Sequence, residues 1–247
     1  MKILNLFVLV LLLFSCASPK PTGKTEAEVL FKEAKNLVAD ERYLMATEKL
    51  NHLKNQYPYS FFATPAELLQ ADILFLQENY VDSAIAYILF KDFHPKHKSI
   101  SYVVFKIAES FYNQLPETHD RDLESAVEAI KYYEELVNRY PKSDHIKESK
   151  EKIAKAKNML RSKEQYIADF YFKTEKYSAA RWRYLEILNA FNDKKIRSHS
   201  MQRVIRSTYY LKEYKKCLSY NQQFGTYLEK SDLKIIDEYV SYCNNKI

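Results

Sequence analysis

The residue types that could carry out chemistry are few and poorly placed for catalysis. His94 and His97 have a spacing that could bind a metal ion, but no partner histidines or thiols accompany them. An exposed turn is therefore the better account of this pair. The chain has no glycine-rich phosphate loop, no Gly-x-Ser-x-Gly motif and no His-Glu-x-x-His motif. The sequence predicts no metal site, no cofactor and no enzymatic activity.

The start of the chain indicates a different chemistry, the attachment of lipid to a thiol. Lys2 precedes an apolar run from Ile3 to Phe14, which is too short to span a bilayer and has the dimensions of a secretory leader. Ser15 and Cys16 close the run and resemble the lipobox of bacterial lipoproteins, in which the cysteine is acylated. We expect Cys16 to be the lipidation site. Ala17 directly after it resembles the sequence pattern of lipoproteins that are sent on to the outer membrane. An ordinary signal peptide that contains a cysteine is the alternative.

Composition favours an all-helical chain. Only two glycines occur in 247 residues, and sheets joined by tight turns generally need glycine at positive φ. The formal net charge is +6, which behind a lipoprotein leader indicates compatibility with anionic lipid headgroups and not a nucleic-acid partner. Two further cysteines do not make a disulfide framework, so we expect Cys217 and Cys243 to be buried free thiols.

From Thr25 onward the apolar spacing is helical, and a helix-pair pattern recurs. An aromatic residue opens a helix and a small residue follows three positions later, as in Tyr43 and Ala46. A proline lies twelve positions after Ala46, and the same interval separates Ala129 from Pro141. This is the spacing of tetratricopeptide repeats, in which the small residue permits close helix approach and the proline ends the second helix. The successive small residues are Ala46, Ala84, Ala129, Ala180 and Cys217.

The sequence therefore predicts an all-α tetratricopeptide-repeat solenoid of about five irregular helix pairs. The first repeat runs from residue 25 to 58 and the second from 64 to 95. The third contains an insertion, and the fourth begins with an unusually long helix. The expected bounds of the later segments are 99–114, an insertion over 115–122, 123–140, 144–172, 177–191, 196–212, 214–229 and a capping helix over 233–243.

Five short motifs occur in order and at distances that match one known family. They are the Tyr57-Pro58 ending of the first repeat, His94-Pro-Lys-His97 followed by Tyr102-Val-Val-Phe105, the Asp120-Arg121-Asp122 insertion, the Tyr140-Pro141-Lys-Ser143 turn, and the set Glu164, Ala168, Tyr171, Tyr177, Ala180 and Arg183. Together, over about residues 25 to 215, they resemble the BamD (ComL/YfiO) family. Asn192 in place of a proline and Cys217 in place of alanine depart from the family pattern.

The resemblance implies a non-enzymatic lipoprotein of the outer-membrane β-barrel assembly complex, on the periplasmic face of the outer membrane. Its partners would be a barrel-inserting subunit with periplasmic repeat domains, other assembly lipoproteins, unfolded outer-membrane protein substrates, and lipid through acylated Cys16. The expected organisation is a signal peptide over 1–15, a lipidated flexible tether over 16–24, N-terminal repeats with a substrate groove over 25–142, and C-terminal repeats with a capping helix for partner docking over 143–247.

Two sets of side chains are the candidate binding residues. The family is thought to accept an extended, aromatic-ended substrate segment in its N-terminal repeats and to dock its barrel subunit through its C-terminal repeats. Some groove aromatics would form pockets for that segment, and we expect Tyr59 and Phe62 to be the exposed ones. Arginine is favoured in interfaces, although ordinary solvated arginines are the alternative. The groove candidates are Tyr59, Phe62, Tyr102 and Phe105, and the docking candidates are Arg181, Arg183, Arg203, Arg206 and Tyr209.

Two other functions stay open from the sequence. A repeat lipoprotein that escorts a secretin, a pilotin, would share the leader and the helix pairs but lack the inserted third repeat. A cell-wall enzyme or its activator is the other class, because Glu109-Ser110 resembles the catalytic Glu-Ser pair of lytic transglycosylases. The substrate-binding motifs of those enzymes are missing around this pair.

Overall fold

The structure, a computed structural model, describes residues 23–247. Within that range the chain is all-helical, with eleven α-helices and one short 3₁₀ helix. These helices fall into two compact units that divide between Pro95 and Lys96. The leader, Cys16 and most of the expected tether lie outside the described residues. None of the described helices combines the length and apolar character that a bilayer crossing requires.

The first unit contains two helix pairs, and each helix packs on the one before it. Its helices are α1 (Glu26–Ala39), α2 (Tyr43–Gln56), α3 (Ala63–Leu76) and α4 (Tyr80–Phe93). The hydroxyl of Thr25 accepts a hydrogen bond from the N–H of Glu28 at 3.2 Å, and the Glu28 carboxylate accepts one from the N–H of Lys24 at 2.8 Å. The Thr25 hydroxyl thus satisfies one of the backbone donors that the first helical turn leaves open, and the Glu28 carboxylate binds the residue just before the cap. The helix bounds confirm the first two predicted repeats.

The second unit contains three further helix pairs and a terminal helix. Its elements are α5 (Ile100–Tyr112), α6 (Glu124–Arg139), α7 (Ile146–Lys173), α8 (Tyr177–Ala190), α9 (Lys194–Tyr210), α10 (Tyr214–Phe224), the 3₁₀ helix Gly225–Tyr227, and α11 (Lys230–Asn244). The predicted long helix is α7, which has 28 residues and packs on both α6 and α8. The third repeat belongs to this unit, and the functional division expected after residue 142 stays a prediction.

The predicted small residues are all buried, as close helix pairing requires. Ala46, Ala129, Ala180 and Cys217 are fully covered, and Ala84 is almost fully covered. A larger side chain at any of these positions would push two paired helices apart, at a cost of about 1 to 3 kcal/mol. The tetratricopeptide spacing read from the sequence therefore corresponds to the packing of the helix pairs.

The turns inside four helix pairs share one backbone geometry. Glu41, Glu78, Glu175 and Lys212 each have φ between 59° and 61°, in the left-handed region. In the first of these turns the N–H of Arg42 donates to the carbonyl of Leu37 at 2.8 Å, and the other three repeat this bond. Such turns usually carry glycine, because a Cβ atom costs about 1 kcal/mol there. This chain builds them from charged residues, which is how so many turns coexist with two glycines.

The structure corrects the prediction that Cys217 and Cys243 are free thiols. They form a disulfide between α10 and α11, with their Cα atoms 6.5 Å apart. Both cysteines are buried, as expected, but the sequence pattern does not reveal that the capping helix returns against α10. The disulfide closes a segment with a sequence separation of 26 residues, so it restricts the unfolded chain and stabilises the end of the second unit.

We expect loss of this disulfide to lower the free energy of unfolding by about 2 to 4 kcal/mol, through the added conformational entropy of the unfolded chain. Urea denaturation with and without a phosphine reductant measures the change. The Cys217→Ala/Cys243→Ala variant is the control, because reductant cannot lower its stability further. If the urea midpoint of the parent chain does not change when the reductant is added, the expectation is contradicted.

Candidate functional site

Two candidate docking arginines lie against an aromatic ring inside the second unit. The guanidinium of Arg203 lies 4.2 Å from the ring centre of Phe172 on α7, and that of Arg206 lies 5.1 Å from the same ring. Arg206 also lies 5.0 Å from the ring of Tyr239 on α11. Arginine favours these positions because its planar cation meets the negative face of a ring. Arg203 and Arg206 therefore help to hold α9 against α7 and α11.

Asp169 on α7 collects polar partners from α8 and α9. Its carboxylate accepts a hydrogen bond from the Tyr184 hydroxyl at 2.6 Å, and Nε2 of His199 lies 2.9 Å from the same oxygen. Nε of Arg203 lies 3.9 Å from that oxygen. Burial opposes the charge, but the hydrogen bonds from His199 and Tyr184 and the nearby positive charges hold the pKa of Asp169 below its ordinary value. Burial and the bond to this carboxylate raise the pKa of Tyr184.

The candidate Tyr209 lies in a cluster of tyrosine rings that joins α9 to α11. Its ring centre lies 4.9 Å from that of Tyr239 and 5.2 Å from that of Tyr242, both in edge-to-face arrangements. The next residue, Tyr210, stacks on Tyr177 of α8 at 4.4 Å. Such ring pairs add stabilisation beyond the area that they bury. Tyr209 is half-buried and forms part of the support for the terminal helix.

Arg181 and Arg183, one turn inside α8, have different surroundings. Arg181 makes an ion pair with Glu213 at 2.5 Å, so it ties α8 to the start of α10. The guanidinium of Arg183 lies 5.0 Å from the ring of Trp182 and 3.6 Å from the carboxylate of Glu164 on α7. Trp182 is 56% exposed. Trp182 is not among the residues predicted from the sequence, although the single tryptophan of the chain stands between two candidate arginines.

The inserted loop of the third repeat is held against α7. Asp120, Arg121 and Asp122 are exposed. The backbone carbonyl of Arg121 accepts a hydrogen bond from Nζ of Lys163 at 2.7 Å, and the ring of His119 lies 5.8 Å from that of Tyr166. A hydrogen bond from Thr118 lowers the pKa of Asp120. The family-motif loop thus has a fixed position on the surface of the second unit.

Glu109 is buried on α5 and bound by neighbouring helices. Nζ of Lys152 on α7 donates to both of its carboxylate oxygens at 2.6 Å, and the Tyr133 hydroxyl on α6 donates to one of them. Burial disfavours the charge of Lys152, but hydrogen bonds to Glu109 and Glu148 raise its pKa. Burial, followed by the Glu109 contact, raises the pKa of Tyr133. This arrangement ties three helices together and leaves Glu109 without open space for a substrate.

The groove candidates are not all exposed. Tyr59 is fully exposed, as expected, but Phe62 is half-buried with its ring 5.6 Å from that of Phe31 on α1. Its neighbour Phe61 has the exposed ring, because the turn before α3 directs the side chain of Phe62 toward the core. In the second unit Tyr102 is half-buried. Phe105 is 6% exposed and stacks on His145 at 3.9 Å, so its ring packs inside the second unit.

A groove does occur within the first unit, among α2, α3 and α4. It encloses about 370 Å³, and its lining residues are Thr47, Lys54, Glu67, Gln70, Leu74, Ala86, Leu89, Phe90 and Phe93. Nζ of Lys54 donates to Gln70 at 2.9 Å and lies 3.9 Å from Glu67. Nε2 of His94 lies 2.8 Å from the other Glu67 oxygen. His94 therefore bonds a carboxylate, and residues 23–247 contain no cluster of three or more side chains suited to a metal ion.

Helix pairs of this kind, each closed on a small buried residue, define an all-α tetratricopeptide-repeat protein. The family model YfiO, described as an outer membrane lipoprotein, matches residues 24–224. The chain belongs to this family, and the resemblance read from its motifs is confirmed.

Several relatives and solved structures are similar to this chain. Outer membrane protein assembly factor BamD of Rickettsia prowazekii is 26% identical over 224 residues, covering 87% of this chain and 89% of that protein. BamD of Neisseria gonorrhoeae is 28% identical over 209 residues, covering 78% of each chain. The TPR2AB domain of yeast Sti1, in a pHSP90 complex, is 12% identical with a TM-score of 0.45 and covers 90% of this chain and 100% of that one. A tetratricopeptide repeat protein from Parabacteroides merdae is 11% identical with a TM-score of 0.39, covering 89% and 87%.

We expect Asp169→Asn to destabilise the second unit at neutral pH. Because the folded-state pKa of Asp169 is lowered, its contribution is present above the unfolded-state pKa of about 3.9 and is lost as the pH falls through the folded value. The cost at pH 7 is about 1 kcal/mol, since the half-exposed carboxylate is partly screened by solvent. Urea midpoints at pH 7 and pH 3 test this, with the exposed Asp237→Asn as control. An equal difference from the parent at both pH values would contradict it.

We expect Glu109→Gln to act on stability and not on any activity. Losing the charged acceptor of Lys152 and Tyr133 in a buried site costs about 1 to 3 kcal/mol. The control is Glu128→Gln, which removes a solvent-accessible pair with Lys131 and changes stability by less than about 0.5 kcal/mol. Chemical denaturation and release of soluble fragments from peptidoglycan are measured together. Fragment release by the parent that the Glu109→Gln variant loses would favour the cell-wall enzyme.

Proposed function

We propose that this chain is a non-enzymatic component of the outer-membrane β-barrel assembly complex. The observation that carries the proposal is its similarity to proteins named outer membrane protein assembly factor BamD, which extends over 87% of this chain and 89% of the Rickettsia prowazekii protein. The match to a family described as outer membrane lipoprotein supports the same location. In this role the chain binds and positions other proteins, and it makes or breaks no bond.

The proposed anchor is an acylated Cys16, with the chain on the periplasmic face of the outer membrane. The apolar leader that ends at Ser15-Cys16 supports this assignment. Each buried methylene of an acyl chain contributes about 0.8 kcal/mol, so a multiply acylated cysteine binds the membrane stably. The remaining residues before Thr25 would then serve as the tether to the first unit.

The proposed docking surface for the barrel-inserting subunit is the pair Trp182 and Arg183 on α8. Tryptophan and arginine are enriched among the residues that dominate protein interfaces, and here they stack on each other at the surface. The pair of Arg183 with Glu164, at 3.6 Å, is long and partly exposed. The other docking candidates, Arg181, Arg203, Arg206 and Tyr209, join helices within the same unit.

The proposed substrate contacts are the exposed aromatic residues of the first unit. Tyr59 and Phe61 project from the turn before α3, and Phe62 supports them through its contact with Phe61 at 5.8 Å. Unfolded outer-membrane proteins expose aromatic side chains, which exposed rings can contact without a deep pocket. The half-buried Tyr102 remains a candidate in the second unit.

Affinity purification of the tagged, full-length chain from its native membrane in mild detergent tests the proposal. We look for a large outer-membrane barrel with periplasmic repeat domains among the co-purifying proteins. Recovery of a secretin ring, or of cell-wall proteins alone, would overturn the assembly-complex function while leaving the helix pairs intact.

We expect Arg183→Ala to reduce recovery of the barrel subunit about tenfold, because it removes a half-buried cation from the proposed interface. The thermal midpoint should shift by less than about 2 °C, since its ion pair is long and solvent-accessible. Arg139→Ala is the control, because Arg139 is likewise ion-paired within the second unit, with Glu135 at 3.2 Å. Unchanged recovery together with reduced thermal stability would show that Arg183 serves the fold.

A further inference from the structure

One row of side chains on the solvent-facing side of α4 is apolar over the whole length of the helix. Val81, Ile85, Leu89 and Phe93 follow one another at four-residue intervals, and each is between 49% and 75% exposed. A surface helix normally directs such residues to the core and polar residues to water. Exposed apolar side chains that lie side by side mark an interaction surface. These four residues are named the α4 stripe.

The α4 stripe borders the groove of the first unit. Leu89 and Phe93 form part of the groove lining, and Leu74 of α3 contributes to the same lining. The charged groups of the groove are already bound to one another, because Lys54 contacts Gln70 and Glu67 and His94 contacts Glu67. What the groove offers a partner is therefore mainly its apolar surface.

Two carboxylates flank the α4 stripe. Asp82 follows Val81 and Asp92 precedes Phe93, and the helical period places both on the exposed side of α4. The Asp82 carboxylate accepts a hydrogen bond from the Asn79 side chain at 2.7 Å. Both aspartates are exposed to solvent. The stripe thus combines apolar side chains with negative charge near both ends.

The shape of this surface suits a helix. Four side chains one turn apart span about 18 Å, or three helical turns. A second helix packs against such a row by setting its own row of side chains into the adjoining groove. Addition of a strand is not available as a binding mode in the part of the chain described, because that part contains no strand.

We propose that the α4 stripe and the adjoining groove bind an amphipathic α-helix of another protein, whose apolar side is bordered by lysine or arginine. A second copy of this chain would bring like carboxylates together, and an anionic lipid surface would repel them. The proposal goes beyond the proposed function, because neither the Trp182–Arg183 pair nor the aromatics near Tyr59 belong to α4. The site adds a third binding surface.

Photo-crosslinking in the native membrane identifies what covers the site. A photoreactive phenylalanine analogue replaces Leu89 in the full-length chain, and Val127 on α6 is the control position because it is a similarly exposed aliphatic residue. We expect an adduct at 89, absent at 127, that maps by mass spectrometry to an amphipathic helix with basic flanks. An adduct with a second copy, with lipid, or with an acidic or extended segment would overturn the proposal, as would no adduct.

Peptide binding to the purified full-length chain tests the chemistry. The probes are 18-residue helical peptides of leucine and alanine with lysine borders, the same peptide with glutamate borders, and a scrambled lysine peptide. We expect the lysine-bordered helix to bind at least tenfold more tightly than either other peptide, and Ile85→Ser/Leu89→Ser to remove that preference. Val127→Ser is the control variant, and thermal melts check that all variants fold. Equal binding of the three peptides, or a preference that survives the double substitution, would refute the site.

Discussion

Close approach of paired helices is the constraint on which the rest of the molecule depends. Each pair meets at a position that carries only alanine or cysteine, and these positions are covered almost completely. At this distance the larger side chains on either side interdigitate, so tyrosines such as Tyr133 and Tyr184 become core residues with their hydroxyls bound to carboxylates. The aromatic composition is therefore a consequence of how the small residues are spaced.

The same constraint explains the short turns. A helix that must return against its partner within three residues needs a left-handed position, and four turns adopt it with Glu41, Glu78, Glu175 and Lys212. Packing of the pair offsets the backbone cost, which is about 1 kcal/mol per turn. The third repeat differs because the insertion between α5 and α6 replaces the short turn. Its loop is instead fixed from outside, by Lys163 of α7.

The positions of the helices are predictable from the sequence, because the helical spacing of apolar residues, the small residue of each pair and the proline after several pairs recur along the chain. Side-chain exposure was less predictable, since it depends on which way a turn rotates the next helix. For this reason Phe61, and not the predicted Phe62, is the exposed ring, and Phe105 lies inside the second unit. The bond between Cys217 and Cys243 depends on how the last helix returns, which no local pattern encodes. From the sequence, Arg203 and Arg206 are predicted to be solvated or docking residues. Their stacking on Phe172 is not predicted, because it is a contact between segments that are distant in the chain.

The long helix α7 has a mechanical consequence for the second unit. Its 28 residues extend about 42 Å, and helices of this kind are stiff over such a length. Lys152 holds one part of it to α5, Lys163 holds the inserted loop, and Asp169 holds α8 and α9. Because one continuous helix carries all three contacts, a tilt of α7 near Asp169 also displaces Lys163 and Lys152, and with them the partners that these lysines bind. The two ends of the second unit are therefore coupled through a single helix.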